Sequence, residues 1–258
     1  MPKNETRKFV LGAGEVYFDP FDEDGNRTGE RYLGDTPGFS LNVSATNQEL
    51  WTSDDPIAER AEYVATQVTR EASIECRNIS LENLALFLIG DVAEQDQGSD
   101  SVTGEDHTVK TDRWYQLGQD DDNPTGVRGV ENVTVTDSED TSYTEGEDYE
   151  LDADLGRIRP MPDGSIDDDT TLEIDYDTVE ATWDRITSNN LGAQDGALRY
   201  IAANTAGPNR DLYAPRTRLL PDGDLAWKSR DTWQAMTFNA ALLVPDTGAA
   251  AYIDGRSV

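Results

Sequence analysis

Alternation of apolar and polar residues runs through most of this chain. Phe39, Leu41 and Val43 alternate with Ser40, Asn42 and Ser44, the period-two pattern of a half-buried strand. Arg70–Arg77 repeats it, with Ala72, Ile74 and Cys76 on one face and Glu71, Ser73, Glu75 and Arg77 on the other. Gly14–Asp19 reads as a short strand closed by a turn at Asp24-Gly25-Asn26. Further strands are expected at Glu131–Thr136, at Asp148–Asp152 and Arg157–Arg159 around a turn at Asp154–Gly156, and at Thr171–Tyr176. After Leu191 the candidates are Ala197–Ala202, Tyr213–Leu220, Leu225–Lys228 and Trp233–Val244, with Pro221–Asp224 as a tight turn and Gly248–Val258 as a small-residue tail. Between Ser44 and Val68 the polar stretch Asn47–Thr66, with Asp54-Asp55-Pro56 near its middle, is long for a hairpin connection and reads as a functional or interface loop.

One segment changes period. Leu81, Leu84, Ala85 and Leu88 form an i, i+3, i+4, i+7 stripe, Ser80 is a suitable N-cap, and Glu82 lies in the first turn, where the helix dipole favours an anion. Gly90 is placed to end the helix at C′. Phe87 and Ile89 widen the apolar surface, so the helix is expected to be covered on more than one side, by its own sheet or by a neighbouring subunit.

Charge divides the chain. The formal net charge is −31, from 52 Asp plus Glu against 21 Lys plus Arg. Residues 91–184 carry 29 of the acids and five of the bases, a net of −24, which leaves −7 for the other 164 residues. The expected organisation is a discontinuous β domain at 1–91 and 185–258, an acidic linker at 92–110, and an inserted acidic β-sandwich at 111–184. Charge at this density weakens the compact state unless salt screens it. Four Lys against 17 Arg, with the acid excess, resembles proteins of salt-in halophiles, most obviously haloarchaea. An acidic disordered protein or a calcium buffer would share the charge, but five Trp, ten Tyr and six Phe supply area for a core. The acidity argues against binding a phosphate backbone. Met1–Val10 lacks an apolar signal region and no run approaches 18 apolar residues, so neither a cleaved export signal nor a membrane anchor is expected.

Candidate chemistry is thin. Cys76 is the only cysteine and His107 the only histidine; Cys76 sits in an alternating strand, and His107 falls in the acidic linker. Neither a multi-Cys zinc site nor a nucleophile–histidine pair can be assembled from them. Gly12-Ala-Gly14 begins a dinucleotide fingerprint, but Tyr17 occupies its third glycine position and a strand follows. Asp22–Gly25 resembles part of a calcium loop that would start at Pro20 and end at Arg31, wrong at both ends. Asp120–Asp122 and Asp167–Asp169 could hold hard cations weakly but read first as solvated loops, and the sequons at Asn4, Asn26, Asn42, Asn78 and Asn132 are weak signals. No enzyme activity, cofactor or metal is expected.

The order of elements resembles the major tail tube protein family of long-tailed viruses. The likeness rests on Gly14–Phe18 followed by Tyr32–Leu41, on the long loop leading to Arg70–Arg77 and Ser80–Gly90, on Gly146–Leu151 with Gly156-Arg157-Ile158, and on Tyr213 to Leu243. The resemblance implies a mainly β tail-tube sandwich or barrel with one flanking helix and an inserted Ig-like β-sandwich. It implies a structural virion protein, assembled in the host cytoplasm, whose hexameric rings stack into a tube through which the viral DNA passes without specific binding. Tail terminator, tail tip and tape-measure proteins would be its other partners. Glu71, Ser73 and Glu75 would face the lumen with Ser40, Asn42 and Ser44, and Arg77 would mark a ring-to-ring salt bridge. The loop Asn47–Thr69, with Asn47, Trp51, Asp54, Asp55, Arg60 and Tyr63, would reach the next ring. Leu81, Leu84, Ala85 and Leu88 would pack the helix on the outside, and the acidic insertion would project outward.

From the residues alone, these polar faces could equally meet solvent on an ordinary sandwich. The alternative is a monomeric halophilic β-sandwich binding module or adhesin, with Trp51, Trp114 and Tyr115 in its loops recognising a surface glycan.

Overall fold

A computed structural model describes residues 9–54, 56–188 and 193–256. The expected positions Asn4, Asp55 and Leu191 lie outside the described residues. The fold is mainly β with one helix. It divides into two compact units, one of Ala93–Arg185 and one built from the chain on either side of that segment.

The outer unit opens with β1 (Gly14–Pro20), β2 (Arg31–Tyr32), β3 (Gly38–Trp51), β4 (Arg60–Cys76) and α1 (Leu81–Leu88). β5 (Gly90–Gln97) then leads into the inserted unit. That unit holds β6 (Ser101–Thr108), β7 (Tyr115–Gln116), β8 (Val130–Asp137), β9 (Ser142–Tyr143), β10 (Tyr149–Asp152), β11 (Arg157–Pro160) and β12 (Thr171–Thr178). β13 (Ala181–Ser188) pairs with β5 and returns the chain to β14 (Gln194–Ala202), β15 (Arg210–Asp222), β16 (Met236–Leu242) and β17 (Tyr252–Gly255).

The main sheet has the order β2-β1-β14-β15-β16-β4-β3, and β17 adds to β15. Its pairings are antiparallel, so inward and outward residues alternate in step across it. Val16 and Phe18 of β1, Ala72, Ile74 and Cys76 of β4, and Met236, Phe238 and Ala240 of β16 are buried on one face. α1 closes that face through Leu84, Leu86 and Phe87, with the Phe87 and Phe238 rings edge to face, their centroids 6.0 Å apart. Leu81, expected in the packing stripe, is exposed instead, while Asn83 is fully buried. The helix turns its polar Asn83 inward because that side chain binds the Leu33 and Asn78 carbonyls.

Ser80 Oγ caps α1 by accepting from the Asn83 N–H. The left-handed residue that ends the helix is Ile89, not Gly90. Gly90 already belongs to β5, and a Cβ there would sit 2.3 Å from the Thr187 carbonyl oxygen of β13. Close strand approach, rather than capping, is what needs this glycine.

The inserted unit has a four-stranded sheet, β6-β12-β8-β9, and a three-stranded one, β10-β11-β7, with its own core of Leu117, Val135, Ile158, Leu172, Ile174 and Tyr176 among others. Residues 92–110 are therefore no linker. They form most of β5 and all of β6; Glu94, Asp96, Asp100 and Asp106 are exposed while the backbone pairs, and Glu105 is half-buried. Leu225–Lys228 is not a strand, Trp233 lies before β16 begins, and the small-residue tail contains β17.

Candidate functional site: a polar sheet face and an exposed arm

The outward face of the main sheet gathers the residues that the alternation singled out. Ser40 lies opposite Ser73, Asn42 opposite Glu71, and Ser44 opposite Thr69. Glu75 faces Gly38 on β3 and Thr237 on β16. Asn239 and Ala241 of β16 continue the surface beside Ser73 and Glu71. β15 extends it with Arg218, Leu220 and Asp222, opposite Ala241, Asn239 and Thr237. The β15 and β16 contributions were readable in principle, because Met236–Leu242 alternates cleanly once its register is known.

Basic groups on this side are held by acids. Arg218 donates to both carboxylate oxygens of Asp195, at 2.7 and 3.0 Å, and Arg216 lies 4.0 Å from the same carboxylate. The Arg218 hydrogen bonds hold the Asp195 carboxyl below its usual pKa and raise that of Arg218. Among the described residues, neither Glu71 nor Asp222 forms an ion pair with a cation. Asn239 Oδ1 is out of water and accepts no hydrogen bond among the described residues.

Past Glu71 the sheet ends but the hairpin does not. β16 pairs β4 only from Cys76 to Glu71, whereas β3 and β4 stay paired out to Trp51 and Arg60. Eight residues of β3, Ser44–Trp51, thus form an arm about 25 Å long at the usual strand rise. Register shifts at Thr46/Asn47 and Leu50/Trp51 twist it, and Thr52 and Glu59 close its turn through Thr52 N to the Glu59 carbonyl at 2.7 Å. The expected loop is therefore a strand pair. Its side chains meet no core of their own chain, so sequence carried no burial rhythm there.

The arm is exposed on both faces. Val43, Leu50, Trp51, Tyr63, Val64 and Val68 are all open to solvent, and Ile57 at the tip is 80 % exposed. Leu41 and Val43, expected to be buried by alternation, keep the pattern but find no cover in this chain. Asn47 is half-buried; Asp54 is exposed; Arg60 pairs with Glu49 at 3.0 Å and lies 4.9 Å over the Tyr63 ring.

A second surface went unread in the sequence. The loop between β15 and β16 carries Trp227, 68 % exposed, and Trp233, 91 % exposed. Gln234 Nε2 donates to the Ala226 and Trp227 carbonyls, and the Ser229 and Thr232 hydroxyls bond at 2.8 Å, so the loop is internally braced. With Tyr32, Asp35, Arg77 and Lys228 the two indoles line a cleft of about 1020 Å³. Arg77 follows the end of β4: its N–H donates to the Asp35 carbonyl at 2.8 Å and its guanidinium lies 3.7 Å from Glu75.

The aromatic set of the glycan alternative is divided between the two units. Trp51 is on the arm, and Trp114 in the inserted unit has Arg157 and Arg159 over its ring at 4.5 and 5.4 Å. Tyr115 accepts from the Lys110 N–H through its hydroxyl. His107 belongs to β6 and bonds Glu105 at 2.8 Å. Asp120 and Asp168 serve turns: Asp120 accepts from the Asp122 and Asn123 N–H groups, and Asp168 from that of Thr111.

No curated protein matches this chain. The family model described as "Protein of unknown function UCP028589" matches residues 9–252, nearly the whole length, and the chain belongs to that family.

Proposed function

We propose that this protein is the structural subunit of a viral tail tube, working at high salt, whose copies join into rings that stack around a channel for DNA. The observation that carries the reading is the β3–β4 arm, a paired strand segment with both faces exposed and apolar side chains along it. An isolated two-stranded ribbon is marginal in water, and an exposed apolar one is an assembly surface or an aggregation hazard. The sheet edges support the same reading. β3 lies at one edge; at the other, β2 and the Leu33 and Thr28 N–H groups cover β1 from Val16 to Pro20, so the short β2 is the outermost strand. Two different edge strands, β3 and β2, favour head-to-tail joining, which ends when the ring closes.

On this reading the polar face of β3, β4, β16 and β15 lines the channel. Glu71, Glu75 and Asp222, with Ser40, Asn42 and Ser73 between them, repel phosphates, while Asp195 neutralises Arg218. A duplex then slides without adhering, because the counterion release that drives phosphate binding needs free cations, and Arg216 and Arg218 are held by Asp195. The inserted unit concentrates the remaining acid charge on a separate core.

The test is electron microscopy of the purified chain in about 2 M KCl, where the Debye length is below about 3 Å. Rings or tubes with a central hole are expected. Monomers at every salt and protein concentration would overturn the reading and favour the binding module.

A further inference from the structure

We propose that the Trp227–Trp233 cleft seats the distal β3–β4 arm of a second copy of this chain. This rests on the self-assembly part of the reading above and adds the receptor surface and the direction of the contact.

Both surfaces are apolar and uncovered. The arm presents Leu50, Trp51, Ile57 and Val64, and the cleft presents two indoles held on a braced loop. Uncovered aromatics on a rigid support are the anchors of protein interfaces, and a wide apolar patch on a soluble chain marks a contact. The charges are complementary. Residues 47–66 hold five acids, Glu49, Asp54, Asp55, Glu59 and Glu62, against Arg60. The cleft is lined by Lys228 and by Arg77, whose guanidinium also lies 3.7 Å from Glu75, against Asp35, so basic groups gather here on a chain whose net charge is −31. That pairing steers encounter and sets register more than it adds affinity.

Geometry makes the contact intermolecular. Arg60, at the arm's end, starts β4, and Arg77, at the cleft, follows its last residue. The 17 residues of β4 run from Arg60 to the residue before Arg77, roughly 50 Å along a paired strand. An arm therefore cannot reach its own cleft. It can reach that of a copy displaced along the strand direction, a heterologous contact that repeats without closing on itself and so stacks copies into a filament.

Chains carrying both Ile57→Cys and Ser229→Cys, with buried Cys76 silent to the reagent, are treated with a short bismaleimide in about 2 M KCl. A ladder of covalent multimers is expected. Either single variant alone stays monomeric on a denaturing gel, and a mixture of the two gives dimers. Ala58→Cys with Thr232→Cys repeats the test at two other exposed positions. Trp227→Ala with Trp233→Ala raises the protein concentration needed for stacking by about tenfold or more. Stacked rings by microscopy without any ladder from either cysteine pair would overturn the cleft assignment and leave the tube intact. A ladder in head-to-tail chains without a central hole would keep the contact and sink the tube. Neither assembly nor ladder would remove both.

Discussion

Arg31 donates through Nη1 to Asn83 Oδ1 at 2.7 Å, tying the short edge strand β2 to the first turn of α1. Asn83 is fully buried and spends its amide protons on the Leu33 and Asn78 carbonyls at 2.9 and 2.8 Å. One amide thus satisfies a guanidinium, the segment after β2 and the segment before α1. Burial lowers the pKa of Arg31, which is met at this contact by a neutral acceptor.

Asn83→Ala is expected to cost about 3 kcal/mol, because it strands two buried carbonyls and a half-buried guanidinium. Asn83→Leu restores apolar volume but neither the two amide N–H donors nor the acceptor for Arg31, so it should lose a similar amount. Urea unfolding of both variants checks this, and a loss under about 1 kcal/mol in each would refute the tether.

Gly34→Ala should be at least as damaging. Gly34 has φ +93, and a Cβ there would meet the Asn78 Cβ at 2.3 Å. The left-handed backbone alone costs an L-residue about 1–2 kcal/mol, and the clash adds to it. A lower melting temperature is expected, with the change confined to the outer unit; an unchanged melt would refute the close approach.

Glu105 sets a pH limit on the inserted unit. Burial opposes its ionisation, but hydrogen bonds from His107, from Tyr176 Oη at 2.6 Å and from the Gly118 N–H outweigh this and hold its pKa below the usual value. Burial and the Glu105 contact together push the Tyr176 phenol up. A carboxyl with a depressed folded pKa contributes stability above its unfolded pKa of about 4.3 and loses it as pH falls through the folded value. Unfolding of the inserted unit should therefore become easier below about pH 4.3, and Glu105→Gln should flatten that dependence. An unaltered pH profile in the variant would show that Glu105 is not the group responsible.

Removal of Ala93–Arg185, with Val92 and Ile186 joined by a short glycine linker, should leave the outer unit folded. Its buried cluster includes no residue from the removed segment. A cooperative thermal transition and a native-like β circular dichroism spectrum are expected. A molten or insoluble product would mean that the outer core needs the insertion.

Glu71→Lys with Glu75→Lys tests the channel face. Both positions lie outside the buried cluster, so folding and assembly should survive, while DNA passage through the tube slows and becomes salt-dependent. Genome ejection measured across ionic strengths reads this directly. Equal ejection rates for the variant and the unaltered chain would remove these residues from the lumen.

The alternation of the sequence by itself determined the strands that bury a face within their own chain. Ala72, Ile74 and Cys76, and again Leu172, Ile174 and Tyr176, are buried where period two placed them. Ser80 capped the helix as its chemistry required, and the charge division foretold a separate acidic unit, though not that it would begin at Ala93. What only the tertiary structure decided was everything without internal burial. The arm reads as a loop because neither of its faces meets a core, and Trp233 reads as strand because an indole in sequence carries no mark of being 91 % exposed. Glu105 and His107 come from a stretch that composition makes a linker, yet backbone pairing makes it β6. Hydrophobic periodicity records the water that a chain excludes from itself. Surfaces left open in the single chain leave no such record, and their positions follow only from register and strand order.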